Sequence, residues 1–308
     1  MTKLQTILVT GSTGQLGQSI KSISPDYPDY EFVFANRQQL DLSNEISITD
    51  FFEHQTFDII INCAAHTAVD KAESEPELAN QINHLAVQQL ADIAKQQNTK
   101  LIYISTDYVF NGKQYRPYLE TDSVEPQSVY GQTKLSGEQA IQNTLKNNAI
   151  IIRTSWVYSE YGSNFVKTML KLGQERDSLN VIFDQIGTPT YAKDLAKAIM
   201  SIVQSQEFHQ ADFTTNIVHF SNEGVCSWYD FAKTIFELAN IQCHVNAIET
   251  KDYPAPAKRT HYSVLNKAKI KKTYHLAIPY WKDSLKQCVI ALQGQVSWKP
   301  YSNRRGCL

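Results

Sequence analysis

Five short runs, each built on a continuous, non-alternating apolar stretch, constrain the fold most. They are "TILVTG" (6–11), "EFVFA" (31–35), "FDIIINCAA" (57–65), "KLIYISTDYVF" (100–110) and "AIIIRTSWVY" (149–158). A strand with one wet face alternates in polarity, whereas an unbroken β-branched run needs both faces buried. Parallel strands between two layers of helices meet that need. Helix-like patterns fill the gaps at 15–23, 44–54, 76–97 and 130–146. The third opens on Glu75 and Pro76, residue types favoured at a helix start. Its Leu78, Ile82, Leu85, Val87, Leu90 and Ile93 fall roughly on one face. Strand–helix alternation of this kind implies an α/β chain with a doubly wound parallel sheet.

The second half is less regular, with helix patterns at 164–175, 192–206, 227–240 and 281–293 and proline-bearing loops at 187–190 and 253–257. The expected division is a nucleotide-binding domain over 1–155, with parts of 180–220 returning to it, and a smaller C-terminal α/β domain over 156–291. A polar tail follows over 292–308, and its last part, 297–308, has no periodic face. A formal net charge of −2 gives no field that would draw nucleic acid or an anionic membrane. Five cysteines (63, 226, 243, 288, 307) without C-x-x-C spacing argue against a disulfide scaffold or zinc site and fit a reducing, cytoplasmic setting. The apolar run in "MTKLQTILVTG" is too short for a signal peptide, and no run approaches the roughly 18 apolar residues of a membrane span. The terminal "GCL" lacks a prenylation cysteine four from the end.

Directly after the first run, "VTGSTGQLG" supplies Gly11, Gly14 and Gly17. One glycine permits a tight turn, one lets backbone approach a pyrophosphate, and one lets the next helix pack close on the sheet. The helix start then offers free N–H groups to the phosphates. The bland alternative is a tight β–α turn. The spacing is G-x-x-G-x-x-G, which points to a Rossmann-like fold of the short-chain dehydrogenase/reductase type. At the end of the second run, where an acid would bind the adenosine ribose, stand Asn36 and Arg37. A guanidinium there suits the 2′-phosphate of NADP, though a plain surface arginine remains the alternative. The expected cofactor is NADPH or NADH, with the lean to NADPH. Asp41 and Leu42 follow at a distance suited to the adenine ring.

At the carboxyl end of the fourth run, Ser105, Thr106 and Asp107 face the ligand crevice of such a sheet. Further on, "SVYGQTKLSGE" (128–138) places Tyr130 and Lys134 four apart, on one face of a helix. Tyr-x-x-x-Lys alone recurs by chance. With a hydroxyl at a strand end and a glycine loop upstream, it reads as the Ser/Thr–Tyr–Lys set of short-chain reductases. Reducing a ketone needs a hydride for carbon, which the cofactor carries, and a proton for oxygen. Tyr130 can give that proton, Thr106 can hold the ketone oxygen, and Lys134 is expected to lower the tyrosine from its usual pKa of about 10.

The strings "GSTGQLG" (11–17), "NCAAHTAVDKAESEPE" (62–77), "STDYVFNG" (105–112), "VYGQTKLSGE" (129–138), "RTSWVY" (153–158), "NFVKTML" (164–170), "DQIGTPT" (184–190) and "PAKRTHYSVLN" (256–266) occur in this order. Together they make the chain closely resemble the dTDP-4-dehydrorhamnose reductase family, extended short-chain enzymes, over residues 6 to about 290. The resemblance implies reduction of the 4-keto group of a dTDP-6-deoxy-hexulose to dTDP-L-rhamnose with NAD(P)H, in nucleotide-sugar synthesis for surface polysaccharide. It makes Tyr130 the proton donor, Lys134 its partner and Thr106 the tuning hydroxyl. It gives Thr106, Asp107 and Trp156 to the sugar, and Gly14, Gln15, Leu16, Asp41, Leu42, Ala65, His66 and Thr67 to the cofactor. Arg259 would meet the nucleotide diphosphate, and 156–291 would be mainly the sugar-nucleotide domain. A homodimer is compatible with the resemblance. Trp156 also reads as a core aromatic.

Two features depart from the family pattern. "AKRTHYSVL" has Thr260 where proline is usual and Tyr262 at a small or polar position. Ser19 stands where some members hold a magnesium-binding glutamate, so no metal is expected. His66 is expected to be a lone polar residue beside the cofactor, without a carboxylate at metal spacing. The alternatives are another extended short-chain nucleotide-sugar enzyme, or a non-catalytic partner like the regulatory subunit of methionine adenosyltransferase.

Overall fold

A computed structural model describes residues 4–295. The five apolar runs form β1 (Gln5–Thr10), β2 (Tyr30–Ala35), β3 (Ile59–Asn62), β4 (Lys100–Thr106) and β5 (Ala149–Thr154). A sixth strand, Asn216–His219, pairs beside β5. The sheet order is Asn216–His219, β5, β4, β3, β1, β2, and every pairing is parallel. The unbroken runs have the expected cause. Ile7, Val9, Ile59, Ile61, Ile150 and Ile152 pack into one core, and their neighbours Leu8, Ile60 and Ile151 into another on the opposite face. Each such side chain contributes roughly 1.5–3 kcal/mol by leaving water. The chain reverses direction of growth between β1 and β3, so their carboxyl ends flank the crevice where such sheets bind ligands.

The strands end earlier than the apolar runs do. β3 stops at Asn62, and β4 gives way to a 3-10 turn over Asp107–Val109. β5 stops at Thr154, and Trp156 takes a left-handed backbone with φ +48°. These exits carry the chain off the sheet at its carboxyl edge, where the site forms.

The segment 76–97 is not one regular helix. An α-turn over Pro76–Asn80 leads into a π-turn, Gln81–Leu85, and then a helix, Ala86–Gln97. A π-turn takes extra residues per turn and shifts the helical register. The expected apolar face is therefore broken: Leu78 is 36% and Leu85 45% exposed, while Ala79, Asn83, Ala86, Val87, Leu90 and Ala94 are buried.

A separate core is built from the helices Phe165–Glu175, Trp228–Ala239 and Trp281–Gln295 around the parallel pair Ser178–Ile182 and His244–Ile248. The last helix runs past 292, where the polar tail was expected to begin; the rest of that tail, 296–308, lies outside the described residues. Among the described residues no helix is long and apolar enough to cross a membrane.

One buried ion pair ties the helix Val129–Thr144 to the sheet. Arg153, on β5, donates from Nη2 to Glu138 Oε2 at 2.6 Å and from Nε to Oε1 at 2.9 Å. Ser105, on β4, donates its hydroxyl to the same carboxylate. Glu138 and Arg153 are 0% and 2% exposed. Removing one partner leaves the other charged in a dry interior. Arg153→Met is therefore expected to cost about 3–5 kcal/mol of stability by urea denaturation. The double variant Glu138→Gln/Arg153→Met should recover most of that loss.

Candidate active site

The phosphate end of the crevice is shaped by missing side chains. Gly11 has φ +61°, and a Cβ there would lie 2.8 Å from the Ala64 backbone. At Gly17 a Cβ would lie 2.5 Å from the Gly11 carbonyl oxygen, so the first helix, Gln15–Ile23, seats directly on the loop. That helix starts after Gly14 with no side-chain cap, which leaves its first N–H groups for an anion. The cradle fits a dinucleotide pyrophosphate.

From this cradle a cleft of about 690 Å³ runs across the carboxyl ends of the strands. Among the residues expected at a site, Gly11, Gly14, Gln15, Leu16, Arg37, Asp41, Leu42, Ala65 and Thr67 line its cofactor side. Thr106, Asp107, Tyr130, Lys134 and Trp156 line the remainder. Arg37 lies exposed at the mouth, 3.4 Å from the Asp41 carboxylate, which also accepts from the Ser43 hydroxyl at 2.7 Å.

Tyr130 and Lys134 project from the helix Val129–Thr144, capped by the Ser128 hydroxyl on the Gly131 N–H. Lys134 Nζ donates to the Ile104 carbonyl at 2.7 Å and lies 4.0 Å from the centre of the Tyr103 ring. Thr106 donates its hydroxyl to Asp107 Oδ1 at 3.0 Å, and Thr106 and Tyr130 both line the cleft. The electrostatics differ from the expectation that Lys134 lowers Tyr130. Burial pushes Tyr130 up to about 12, against the Thr106 hydroxyl and with the Asp107 charge. Burial pushes Lys134 down to about 7, against the pull of Glu138. Burial also pushes Asp107 up to about 6, against hydrogen bonds from Ser263 and Thr106. Desolvation favours the neutral form of each group and outweighs the pairwise attraction.

Three expected residues do not line the cleft. Gly17 serves the packing of the first helix. His66 turns to Glu75, with Nε2 3.3 Å from the carboxylate, so a carboxylate does stand beside it. Its backbone N–H donates to Asn83 Oδ1 at 2.9 Å. Among the described residues no three His, Cys, Asp or Glu side chains gather as a metal site. Arg259 donates to Asp70 at 2.7 Å instead of lining the cleft. Ser105 lines the cleft as expected, while its hydroxyl is given to Glu138.

The sequence reading missed other lining residues. Tyr108 packs edge-on against Tyr130, with ring centres 5.5 Å apart. Gly162, Ser163 and Asn164 form part of the far wall, which Gln15 ties to the glycine loop. The Gln15 amide oxygen accepts from Asn164 Nδ2 at 2.9 Å and from the Ser159 hydroxyl at 3.1 Å. Trp228 also lines the cleft, stacked on Trp156. A signal for Trp228 was present: Ser227 and Asp230 form a capping box that fixes where its helix begins.

Comparison with known proteins agrees with this geometry. The RmlD substrate binding domain family model matches residues 5–293. A dTDP-4-dehydrorhamnose reductase of Sinorhizobium fredii is 40% identical over 290 residues, covering 93% of this chain and 97% of the relative. The crystal structure of a dTDP-4-dehydrorhamnose reductase from Clostridium acetobutylicum superposes with a TM-score of 0.87 at 40% identity, covering 94% of this chain and 99% of that one. The enzyme of the same name from Bacillus anthracis, solved in complex with NADP, gives 0.86 at 36% identity, covering 94% and 100%. With its glycine cradle, its Thr106–Tyr130–Lys134 cleft and a match over nearly all of its described length, the chain belongs to the RmlD substrate binding domain family.

Proposed function

We propose that this chain reduces the 4-keto group of dTDP-4-dehydro-L-rhamnose to give dTDP-L-rhamnose, using NADPH or NADH. The observation that carries the reading is the meeting of Thr106, Tyr130 and Lys134 in one cleft with the glycine cradle. The reduced nicotinamide, when bound, supplies the hydride. Tyr130 gives the proton to the ketone oxygen, and Thr106 holds that oxygen against it. Tyr130 keeps its proton at neutral pH, and burial raises it further, to about 12. Lys134 steadies the cofactor ribose beside Tyr130. Asp107 and Trp156 hold the sugar. His66 and Gly17 support the cofactor side from behind the lining, and Arg259, anchored on Asp70, approaches the nucleotide from outside the cleft.

Arg37, beside Asn36 at the β2 end, supports NADPH as the preferred donor. Residues 1–155 and the part of 180–220 that returns to the sheet hold the cofactor, and 156–291 hold the sugar nucleotide. The reaction belongs in the cytoplasm, a setting that fits the free thiols of Cys63, Cys226, Cys243 and Cys288; a homodimer is the assembly to test. Tyr108 argues against elimination chemistry. It stands where a dehydratase would need a second carboxylate, and its ring fills that place against Tyr130.

Tyr130→Phe should lose about 10²–10⁴-fold in turnover, read as loss of the reduced-nicotinamide absorbance, while the Kd for NADPH stays unchanged. Turnover retained in that variant would sink the assignment. Lys134 provides a pH test of the burial. Its unfolded form keeps the proton up to the ordinary 10.5, while the folded form releases it above about 7. Between those values the unfolded state binds more protons, so stability rises with pH. The unfolding free energy of the wild type minus that of Lys134→Met should therefore climb from about pH 7 to pH 10.5 in urea titrations. A flat difference would show that Lys134 is not desolvated.

A further inference from the structure

The wall opposite the catalytic helix is a pair of tryptophans. Trp156 and Trp228 stack with ring centres 3.6 Å apart and planes 13° from parallel, and both line the cleft. Trp156 holds a left-handed backbone, φ +48°, which a bulky side chain adopts only when its surroundings impose it. Two neighbours do so. Gly187 lies under the indole edge, where a Cβ would come within 2.7 Å of Trp156 Cε2 and Cζ2. Trp228 covers one indole face and is fixed in turn by Phe165, whose ring centre is 4.6 Å away. The Ser227–Asp230 capping box locks the helix start from which Trp228 projects.

We propose that Trp228 is a specificity-determining positioning residue: it holds Trp156 in its strained place, so that the two indoles form the apolar wall against which the deoxy-sugar is oriented toward Tyr130. This rests on the reductase reading above. A rigid stacked wall presents aromatic surface to the C–H face of a sugar without ordering a mobile side chain at each binding event. Trp228 then acts on the sugar nucleotide through Trp156, whereas the cofactor cradle is built from a different set of residues, those of the glycine loop.

The test uses the full chain and three variants. Trp228→Ala disturbs Trp156 at its face and Gly187→Ala at its edge, and Trp228→Phe keeps an aromatic ring against Phe165. Each of the first two should raise KM for dTDP-4-dehydro-L-rhamnose about tenfold or more, with Trp228→Phe between them and the wild type. The Kd for NADPH should be unchanged in all three. An unchanged KM in Trp228→Ala, or a parallel rise in the NADPH Kd, overturns the proposal. If Trp228→Ala does not fold, Gly187→Ala and Trp228→Phe decide by the same criteria.

Labelling the chain's four tryptophans with 5-fluorotryptophan gives a readout independent of turnover. The Trp156 fluorine resonance should move in Trp228→Phe, and should shift in the wild type on adding dTDP-L-rhamnose. A Trp156 resonance indifferent to Trp228→Phe overturns the proposal. Failure of the reductase reading looks different: the wild type shows no turnover, yet its Trp156 resonance still responds to Trp228→Phe.

Discussion

The helix Val129–Thr144 lies against its neighbours at backbone distance, and the chemistry depends on that seat. A Cβ at Gly131 would lie 2.3 Å from the Tyr108 carbonyl oxygen, and one at Gly137 would lie 2.3 Å from that of Asn83. The helix thus touches the turn leaving β4 at one point and the π-turn at the other. Tyr130, Lys134 and Glu138 follow at intervals of four along it, so they share a face. The first reaches the cleft, the second bonds strand β4 through the Ile104 carbonyl, and the third clamps Arg153 on β5. A helix displaced by one methyl group would carry all three away from the strand ends.

The same device appears at the phosphate end, where Gly11 and Gly17 allow loop, strand exit and helix to crowd together. Both ends of the cleft are therefore made by the first half of the chain. The far wall comes from the second half, and polar bonds join the two. Gln15 spends both ends of its amide on that junction, accepting from Ser159 and Asn164 and donating to the Val157 carbonyl at 3.3 Å. Asn164 passes the tie onward by capping the helix Phe165–Glu175 through the Lys167 N–H. A residue at the start of the first helix thereby sets the distance to the far wall.

Features encoded by local rules were legible in the sequence. Unbroken apolar runs announced strands buried on both faces, glycine spacing announced the cradle, and a four-residue interval placed Tyr130 and Lys134 together. What escaped depends on tertiary context. The π-turn at Gln81–Leu85 was hidden because Leu78 and Leu85 suit an ordinary helical stripe. The structure instead buries Asn83, whose side chain binds both backbone groups of His66 and the Thr133 hydroxyl. Trp228 could not be assigned to Trp156 because nothing local links them. Tyr130 shifts opposite to the expected direction because proximity is visible in sequence, while desolvation is a property of the finished interior.

That inversion bears on the direction of the chemistry. A tyrosine lowered by a lysine would stand as a phenolate, ready to accept a proton, and would suit oxidation of an alcohol. Here burial acts on both members and favours their neutral forms, so the phenol holds its proton and the amine gives its own up near neutrality. In the proposed reduction, the proton needed by the ketone oxygen would already be resident on Tyr130. Glu138 limits how far the trend runs. Its charge pulls Lys134 back toward the ammonium form, while Arg153 and Ser105 keep that carboxylate satisfied in a dry interior. The ion pair that fastens the helix to the sheet therefore also acts on the lysine's charge, against the larger effect of burial. Stability and proton supply are drawn from the same few buried groups, and a change to one is felt in the other.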